Sequence, residues 1–321
     1  MMALLCFDTL VEASSSIYVI SKHSMASEKT EGIILRLVDF SESSCIVTWM
    51  TRDYGKITTM AKGARRPKSP FGAAIDVLSI CRVVFLRKTS GAMSLLTEAK
   101  LERRFRSSAT NLKRLYAGYY VIELLNLFTD EGDSNPELFD LAVKTIRLID
   151  SSEIHDSQLN LSMLQFELKA LNLLGHQPML TKCVSCGREK TTLTSVKFGL
   201  NVGGILCQKC RPGQANVVNL SAGGLELLLS LVGGQIGSDR DNSDNWNLKG
   251  QDTKVREKLY GDNRFRIEGA QDTESDQAAI GLDDSFGKTQ KELSEVRRLI
   301  NSYVIHLLGF VPRLHKFLKN I

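Results

Sequence analysis

Four of the chain's seven cysteines stand in two tight pairs, Cys183-Val184-Ser185-Cys186-Gly187 and Cys207-Gln208-Lys209-Cys210, with twenty residues between the pairs. No other feature constrains the fold as much, because two such knuckles closing on one tetrahedral ion tie distant stretches of backbone together. Each pair sets two thiolates on one turn, and Gly187 has the left-handed freedom that the turn needs. The segment Val196 to Leu206, with Gly203-Gly204, can fold back as the hairpin that joins the pairs. Four thiolates fill the coordination shell of zinc and leave no position for water, so Cys183, Cys186, Cys207 and Cys210 are expected to hold a structural zinc. The competing readings are a redox dithiol, which would want one pair beside a thioredoxin-like βαβ pattern that is absent here, and a cysteine set without its metal. Of the remaining three cysteines, Cys45 and Cys81 lie in apolar runs and read as buried packing, and Cys6 stands alone. An odd total with no evident signal peptide argues against a secreted disulfide scaffold and for a reducing compartment, the cytoplasm.

Ahead of the cysteines the chain changes period once. Between Glu31 and Ala99 the apolar residues come in five short runs with β-branched members: Gly32 to Val38, Cys45 to Thr51, Lys56 to Ala61, Val77 to Leu86 and Ala92 to Thr97. Polar or turn-forming links separate them, among them Asp39 to Ser43, Asp53-Tyr54-Gly55 and the hairpin turn Thr89-Ser90-Gly91. Five antiparallel strands of this size suit an OB-fold, a small barrel that often serves nucleic-acid binding.

Beyond Arg106 the spacing becomes helical. Leu112, Leu115, Tyr116, Tyr119 and Ile122 form one apolar face of a helix running to about Phe128. Asn135 as N-cap with Pro136 in the first turn opens a second helix through Leu148. Leu161, Leu164, Leu168, Leu171 and Leu174 mark a third, stopped by Gly175 with Pro178 beyond. Ser221 opens another, through about Leu231. From Gly233 to Gly287 the chain is rich in Asp, Asn, Gln and Gly and lacks sustained periodicity, so it reads as a disordered acidic insertion. Thr289 and Glu292 then form a capping-box pair ahead of Leu293, Val296, Ile300, Val304 and Leu307, with a stop at Gly309 and a basic tail.

Charge is unevenly placed, which bears on partners more than the net +5 does. Glu28 to Arg106 holds fifteen Lys/Arg against eight Asp/Glu, whereas Gln235 to Gln290 holds eight against twelve. Lys56, Lys62, Arg65, Arg66 and Lys68 crowd one Gly-containing stretch, where cations can lie against successive phosphates and counterion release drives binding without reading sequence. The alternative is a solvated charge run. Arg87, Lys88, Arg103 and Arg104 add cations within the same segment and raise the weight of the nucleic-acid reading. Of the aromatics there, Trp49 and Phe85 sit in apolar strand patterns and read as core, while Phe40 and Phe71 fall in polar loops and could stack on bases. There is no phosphate-binding GxxxxGK[ST] loop, no GxGxxG after a strand, no HExxH and no GxSxG, and the five histidines are scattered, so catalytic chemistry has no visible seat. No apolar run approaches the about 18 residues that a membrane helix needs.

The string EGIILRLVDFSESSCIVTWMTRDYGKITTMAKGARRPKSPFG, from Glu31 to Gly72, resembles the N-terminal barrel of bacterial RecO proteins. The likeness continues through TEAKLERRFR, FELKALNLLGHQP, the two cysteine pairs and LSAGGLELL. It implies a multidomain α+β chain with a five-stranded OB-fold barrel, a helical body and a four-cysteine zinc module. It also implies binding to single- and double-stranded DNA, strand annealing, and work with RecR and single-stranded-DNA-binding protein to load RecA, in the cytoplasm at the nucleoid, without enzymatic activity. Carried over by residue, the zinc ligands fall on the four paired cysteines and the DNA-contacting loop on Lys62 to Lys68. The expected division is a non-conforming extension over 1–24, the OB-fold over 25–106, a helical domain over 107–180 and the four-cysteine zinc module over 181–215. A helix of the body over 216–232, the insertion over 233–288 and a C-terminal helix with its basic tail over 289–321 complete it. An RNA- or ribosome-associated OB/zinc protein and a zinc- or thiol-dependent enzyme are the rivals, and the closed four-thiolate shell argues against the second.

Overall fold

Strands β1 (Ser27–Asp39), β2 (Cys45–Thr51), β3 (Gly55–Ala61), β4 (Ile80–Leu86) and β5 (Ser94–Arg103) close into a barrel in the order β1-β2-β3-β5-β4. The computed structural model describes residues 27–69, 71, 74–88, 93–106, 111–151, 156–189, 195–233 and 284–318. The 1–24 extension, the Thr89-Ser90-Gly91 turn and nearly all of the acidic insertion lie outside the described residues. Four of the five strand pairings are antiparallel, and β3 with β5 is parallel. An all-antiparallel set was expected, but a closed ring with an odd number of strands must contain one parallel seam. β1 starts at Ser27, ahead of its apolar run, because pairing with β4 from Ser27↔Leu86 to Ile33↔Ile80 recruits polar residues that no hydropathy pattern marks. Val77 to Ser79 are not strand; buried Leu78 turns there with a φ of 66°.

Two apolar cores share the barrel wall. Ile34, Val47, Trp49, Ile57, Val83 and Phe85 fill its interior, where Trp49 Nε1 donates to Thr59 Oγ1 at 2.9 Å. Ile33, Leu35, Met50 and Ile80 point outward into a second core that continues through the helices. This explains the unbroken burial from Gly32 to Leu35 in a strand whose neighbours alternate.

Helix α1 (Leu112–Phe128) lies between the barrel and the other helices. Its buried residues, among them Ala117, Tyr120, Val121 and Leu124, surround much of the helix, while Leu112 on the expected face is 59% exposed. A helix covered on several sides does not keep a single apolar stripe. Gly118 lets α1 press on the barrel, since a Cβ there would stand 2.9 Å from Leu78 Cδ1 and 3.3 Å from Phe105 Cζ. Helix α2 (Pro136–Ile149) opens as its sequence dictates, with Asn135 Oδ1 accepting from the Leu138 amide at 3.0 Å. Helix α3 (Asp156–Leu173) ends at Gly175, φ 78°, and α4 (Ala222–Gly233) is capped by Ser221 Oγ, which accepts from Gly224 N at 3.1 Å.

Helix α5 (Asp284–Leu308) begins five residues before Thr289, so the Thr289/Glu292 pair lies inside it rather than at its start. Gly287, read as the end of the insertion, is also helical; the roughly 1 kcal/mol that a glycine costs in a helix interior does not stop a helix of 25 residues. Its buried anchor is Arg297, which donates to Glu167 Oε2 at 2.5 Å, to Asn160 Oδ1 at 2.9 Å and to the Asn160 carbonyl at 2.7 Å. Glu167 in turn accepts from the Tyr120 hydroxyl at 2.8 Å. Burial, reinforced by the Glu167 carboxylate, holds the Tyr120 phenol well above its ordinary range. The tail is not loose up to Leu318: Glu123 accepts from the amides of Arg313 and Leu314, and Phe317 in the short helix α6 (His315–Leu318) stacks on Tyr116 at 4.2 Å.

Candidate nucleic-acid interface and metal centre

The register of the barrel decides which of the predicted cations share a surface. Pairing runs Asp39↔Cys45 between β1 and β2 and Cys45↔Ala61 between β2 and β3, so the 40–44 turn and the stretch beginning at Lys62 emerge at the same end. Two hydrogen bonds lace them together: Arg65 N to Ser43 O at 3.1 Å and Gly63 N to Ser44 Oγ at 3.4 Å. Lys62, Arg65, Arg66 and Lys68 are all exposed there. Arg65 pairs with Asp39, while Lys62 and Arg66 line a notch of about 400 Å³ beside Phe40.

Lys56 does not belong to this group. It stands at the other end of β3, where its Nζ donates to the carbonyl of Asn126 at 2.9 Å and to that of Thr129. These carbonyls close α1, so the cation serves the negative end of a helix instead of a phosphate. Arg52 at the same end forms a 2.9 Å ion pair with Asp140 of α2. Arg87 is exposed but also lies at this end, its guanidinium 5.8 Å from the centre of the Tyr54 ring, and Lys88 follows it. Arg103 is the last residue of β5, at the exit from the barrel, and pairs at 3.3 Å with the buried carboxylate of Asp150 at the end of α2. Arg104 is exposed next to it. The nine cations singled out from sequence therefore fall into separate places, and only Lys62 to Lys68 make a compact group. The aromatics also divide: Phe71 is 4% exposed and packs inside the barrel, which removes it as a stacking residue, while Phe40 is 61% exposed.

The four paired cysteines converge. Their sulfurs all lie within 4.8 Å of one another, and Cys186 Sγ to Cys207 Sγ is 3.8 Å. A tetrahedral ion with metal–sulfur bonds of about 2.3 Å has sulfur–sulfur edges of about 3.8 Å, so these residues fit a four-thiolate metal site. Gly187, φ 71°, returns its amide to the Cys183 carbonyl at 2.8 Å and closes the first knuckle; the amides of Cys210 and Arg211 return to the Cys207 carbonyl at 3.1 Å and close the second. The expected hairpin joins them as β6 (Val196–Gly199) and β7 (Gly204–Leu206), and β8 (Val217–Leu220), not foreseen from sequence, pairs with the other edge of β6. Burial pushes the Cys183 thiol up, but the amides of Cys207, Cys186 and Ser185 outweigh it and bring it down to about 6. Sharing of hydrogen bonds with Cys207 and Cys186 pushes the Cys210 thiol up to about 12. Such uneven sharing of protons among crowded sulfurs is what a divalent cation replaces when all four become thiolates. Around the knuckles the chain carries Lys182, Arg188, Lys197, Lys209 and Arg211, with Glu189 the only described acid between Thr181 and Asn219, a basic setting that the cysteine spacing does not signal.

Two sequence-family models match: "Recombination protein O N terminal" over residues 25–105, the barrel, and "Recombination protein O C terminal" over 109–243. The DNA repair protein RecO of Rhodopirellula baltica is 42% identical over 201 residues, covering 62% of this chain and 73% of that protein. The chain belongs to the RecO family. The DNA repair protein RecO of Halalkalibacterium halodurans is 34% identical over 200 residues (62% of this chain, 75% of that protein), and that of Alkaliphilus metalliredigens 34% over 182 (57% and 71%). The RecO match ends at residue 243, so α5, anchored through Arg297, lies beyond it. Among the described residues no helix is long and apolar enough to cross a membrane.

Proposed function

We propose that this protein binds DNA and anneals complementary strands as a mediator of recombinational repair, working with RecR and single-stranded-DNA-binding protein to load RecA in the cytoplasm, at the nucleoid. It acts by holding polyanions, not by catalysis. The observation that carries the reading is the cluster of Lys62, Arg65, Arg66 and Lys68 on one end of an OB-like barrel in a RecO-family chain. Four cations on a laced loop can neutralise successive phosphates of either strand, and annealing needs two such polyanions screened at once. The ion at Cys183, Cys186, Cys207 and Cys210 is zinc in this reading, since a closed four-sulfur shell suits zinc and leaves no open position. Zinc there supplies folding energy by tying together the 183–187 and 207–210 knuckles, which the β6–β7 hairpin joins.

The test is to measure affinity for DNA and RNA oligonucleotides of matched sequence together with the rate of annealing of complementary DNA strands. Tight DNA binding with accelerated annealing supports the mediator. Preference for RNA without annealing would move the protein to the RNA-associated class.

A further inference from the structure

The barrel end that carries the cations also carries an exposed aromatic ring, and the two are built as one unit. Among the described aromatics of the barrel, Trp49, Phe85 and Phe71 are 0%, 1% and 4% exposed. Tyr54 is half-buried, set edge-on against Phe85 at 5.4 Å and donating to Glu28. Phe40, 61% exposed, is the one among them whose ring stands open to solvent. A single exposed phenylalanine is ordinary by itself; its surroundings are not. The notch of about 400 Å³ that it lines, in the size range of small-ligand clefts, is lined also by half-buried Met60, by Ser41 and Ser44 and by the cations Lys62 and Arg66.

The turn that holds the ring is closed by its own hydrogen bonds. Phe40 N and Ser41 N both donate to the Ser44 carbonyl, at 3.1 and 3.2 Å, and Ser44 N donates to Ser41 Oγ at 3.2 Å. The cationic loop is laced to the same turn through Ser43 and Ser44, and it turns at Gly63, φ 71°, with the Arg66 side chain lying against that glycine. Asp39, the carboxylate next to Phe40, is paired with Arg65 and so opposes a phosphate less.

We infer that this notch seats one unpaired nucleotide of a single strand, with its base stacked on Phe40 and its flanking phosphates against Lys62 and Arg66. The inference rests on the nucleic-acid reading of the barrel and adds a distinction that the cations cannot make. Phosphate contacts serve single strands and duplexes alike, whereas a ring can meet a base face only where the base is already out of the duplex stack. The notch therefore biases the protein toward single strands, and every base offers a face, so the bias does not depend on sequence.

The experiment compares the full-length parent with Phe40→Ala and Phe40→Trp, using a single-stranded oligonucleotide and a duplex of equal length across a salt series, with circular dichroism to check folding. Phe40→Ala should weaken single-strand binding about 5- to 150-fold, the range of a single base–aromatic stack, and leave both duplex affinity and the salt slope unchanged. Phe40→Trp should keep single-strand affinity and show tryptophan fluorescence quenched by the single strand beyond any change in the parent. Equal losses on single strand and duplex, or no loss on either by a protein that binds DNA with normal salt dependence, would overturn the stacking site alone. If the parent binds neither DNA form, the nucleic-acid reading itself fails.

Discussion

Replacing Lys62, Arg65, Arg66 and Lys68 together with alanine is the sharpest test of the barrel surface, because the structure ranks the four. Lys62, Arg66 and Lys68 are exposed, whereas Arg65 is paired with Asp39 and must share its charge. At about 0.7 counterions released per phosphate on single strands, three full contacts give a log–log salt slope of about 2, and a fourth full contact would bring it to about 3. The quadruple variant should lose that much slope. Over a fourfold rise in salt, from about 50 to 200 mM, the parent should then lose about 20- to 50-fold more affinity than the variant. Single strands and duplexes should be affected alike, annealing should slow in parallel, and thermal stability should change little, since exposed loop charges and an exposed ion pair contribute little to folding. Fluorescence anisotropy titrations on labelled oligonucleotides at four or five salt concentrations read the slope directly. A folded variant with an unchanged slope would show that these side chains are a solvated charge run, and binding would have to be sought at Arg103, Arg104 or the cations around the cysteine knuckles.

Four further outcomes are expected. Lys56→Ala should leave DNA affinity unchanged but lower stability by roughly 1–2 kcal/mol in urea unfolding, because Nζ serves the carbonyls of Asn126 and Thr129. Arg297→Ala should cost about 3–5 kcal/mol by stranding the buried Glu167 carboxylate, and a loss below 1 kcal/mol would contradict the anchoring of α5. The Tyr120 phenol is held above its ordinary range, so the folded state keeps a proton that the unfolded chain releases as pH rises past about 10. Its contribution to stability is complete below that pH and declines above it, and melting curves from pH 9 to 11 should fall less steeply in Tyr120→Phe than in the parent. Elemental analysis after purification under reducing, chelator-free conditions should find one zinc per chain, and Cys186→Ser should lower both the zinc content and the melting temperature; absence of metal from the parent would refute the assignment.

Local rules were enough where one short stretch of chain decides the outcome. The Cys-x2-Cys knuckles with Gly187, the Asn135-Pro136 start of α2, the Gly175 stop of α3 and the extent of β2 all depend on neighbours within a few residues, and all stand where the sequence put them. The burial of Cys45, Cys81, Trp49 and Phe85 was likewise readable, because an apolar run inside a strand has few other places to go. What the tertiary structure alone decided are matters of which distant surfaces meet. Lys56 and Lys62 are near neighbours in a cationic stretch, yet β3 carries them to opposite ends of the barrel, one onto the carbonyls of α1 and the other into solvent. Phe40 and Phe71 look alike in sequence, both in polar loops, but only the closed barrel shows that one fills its interior and the other stands beside Arg66. The pairing of Arg297 with Glu167 spans 130 residues and the whole acidic stretch. Periodicity reports one neighbour per face, so it found the bounds of α1 but not the several sides on which that helix is covered, and it could not foresee β8 or the early start of α5. A side chain's chemistry is written in the sequence, but the company it keeps is set by long-range packing, and here that company separates an exposed cation on the barrel's end from a helix cap.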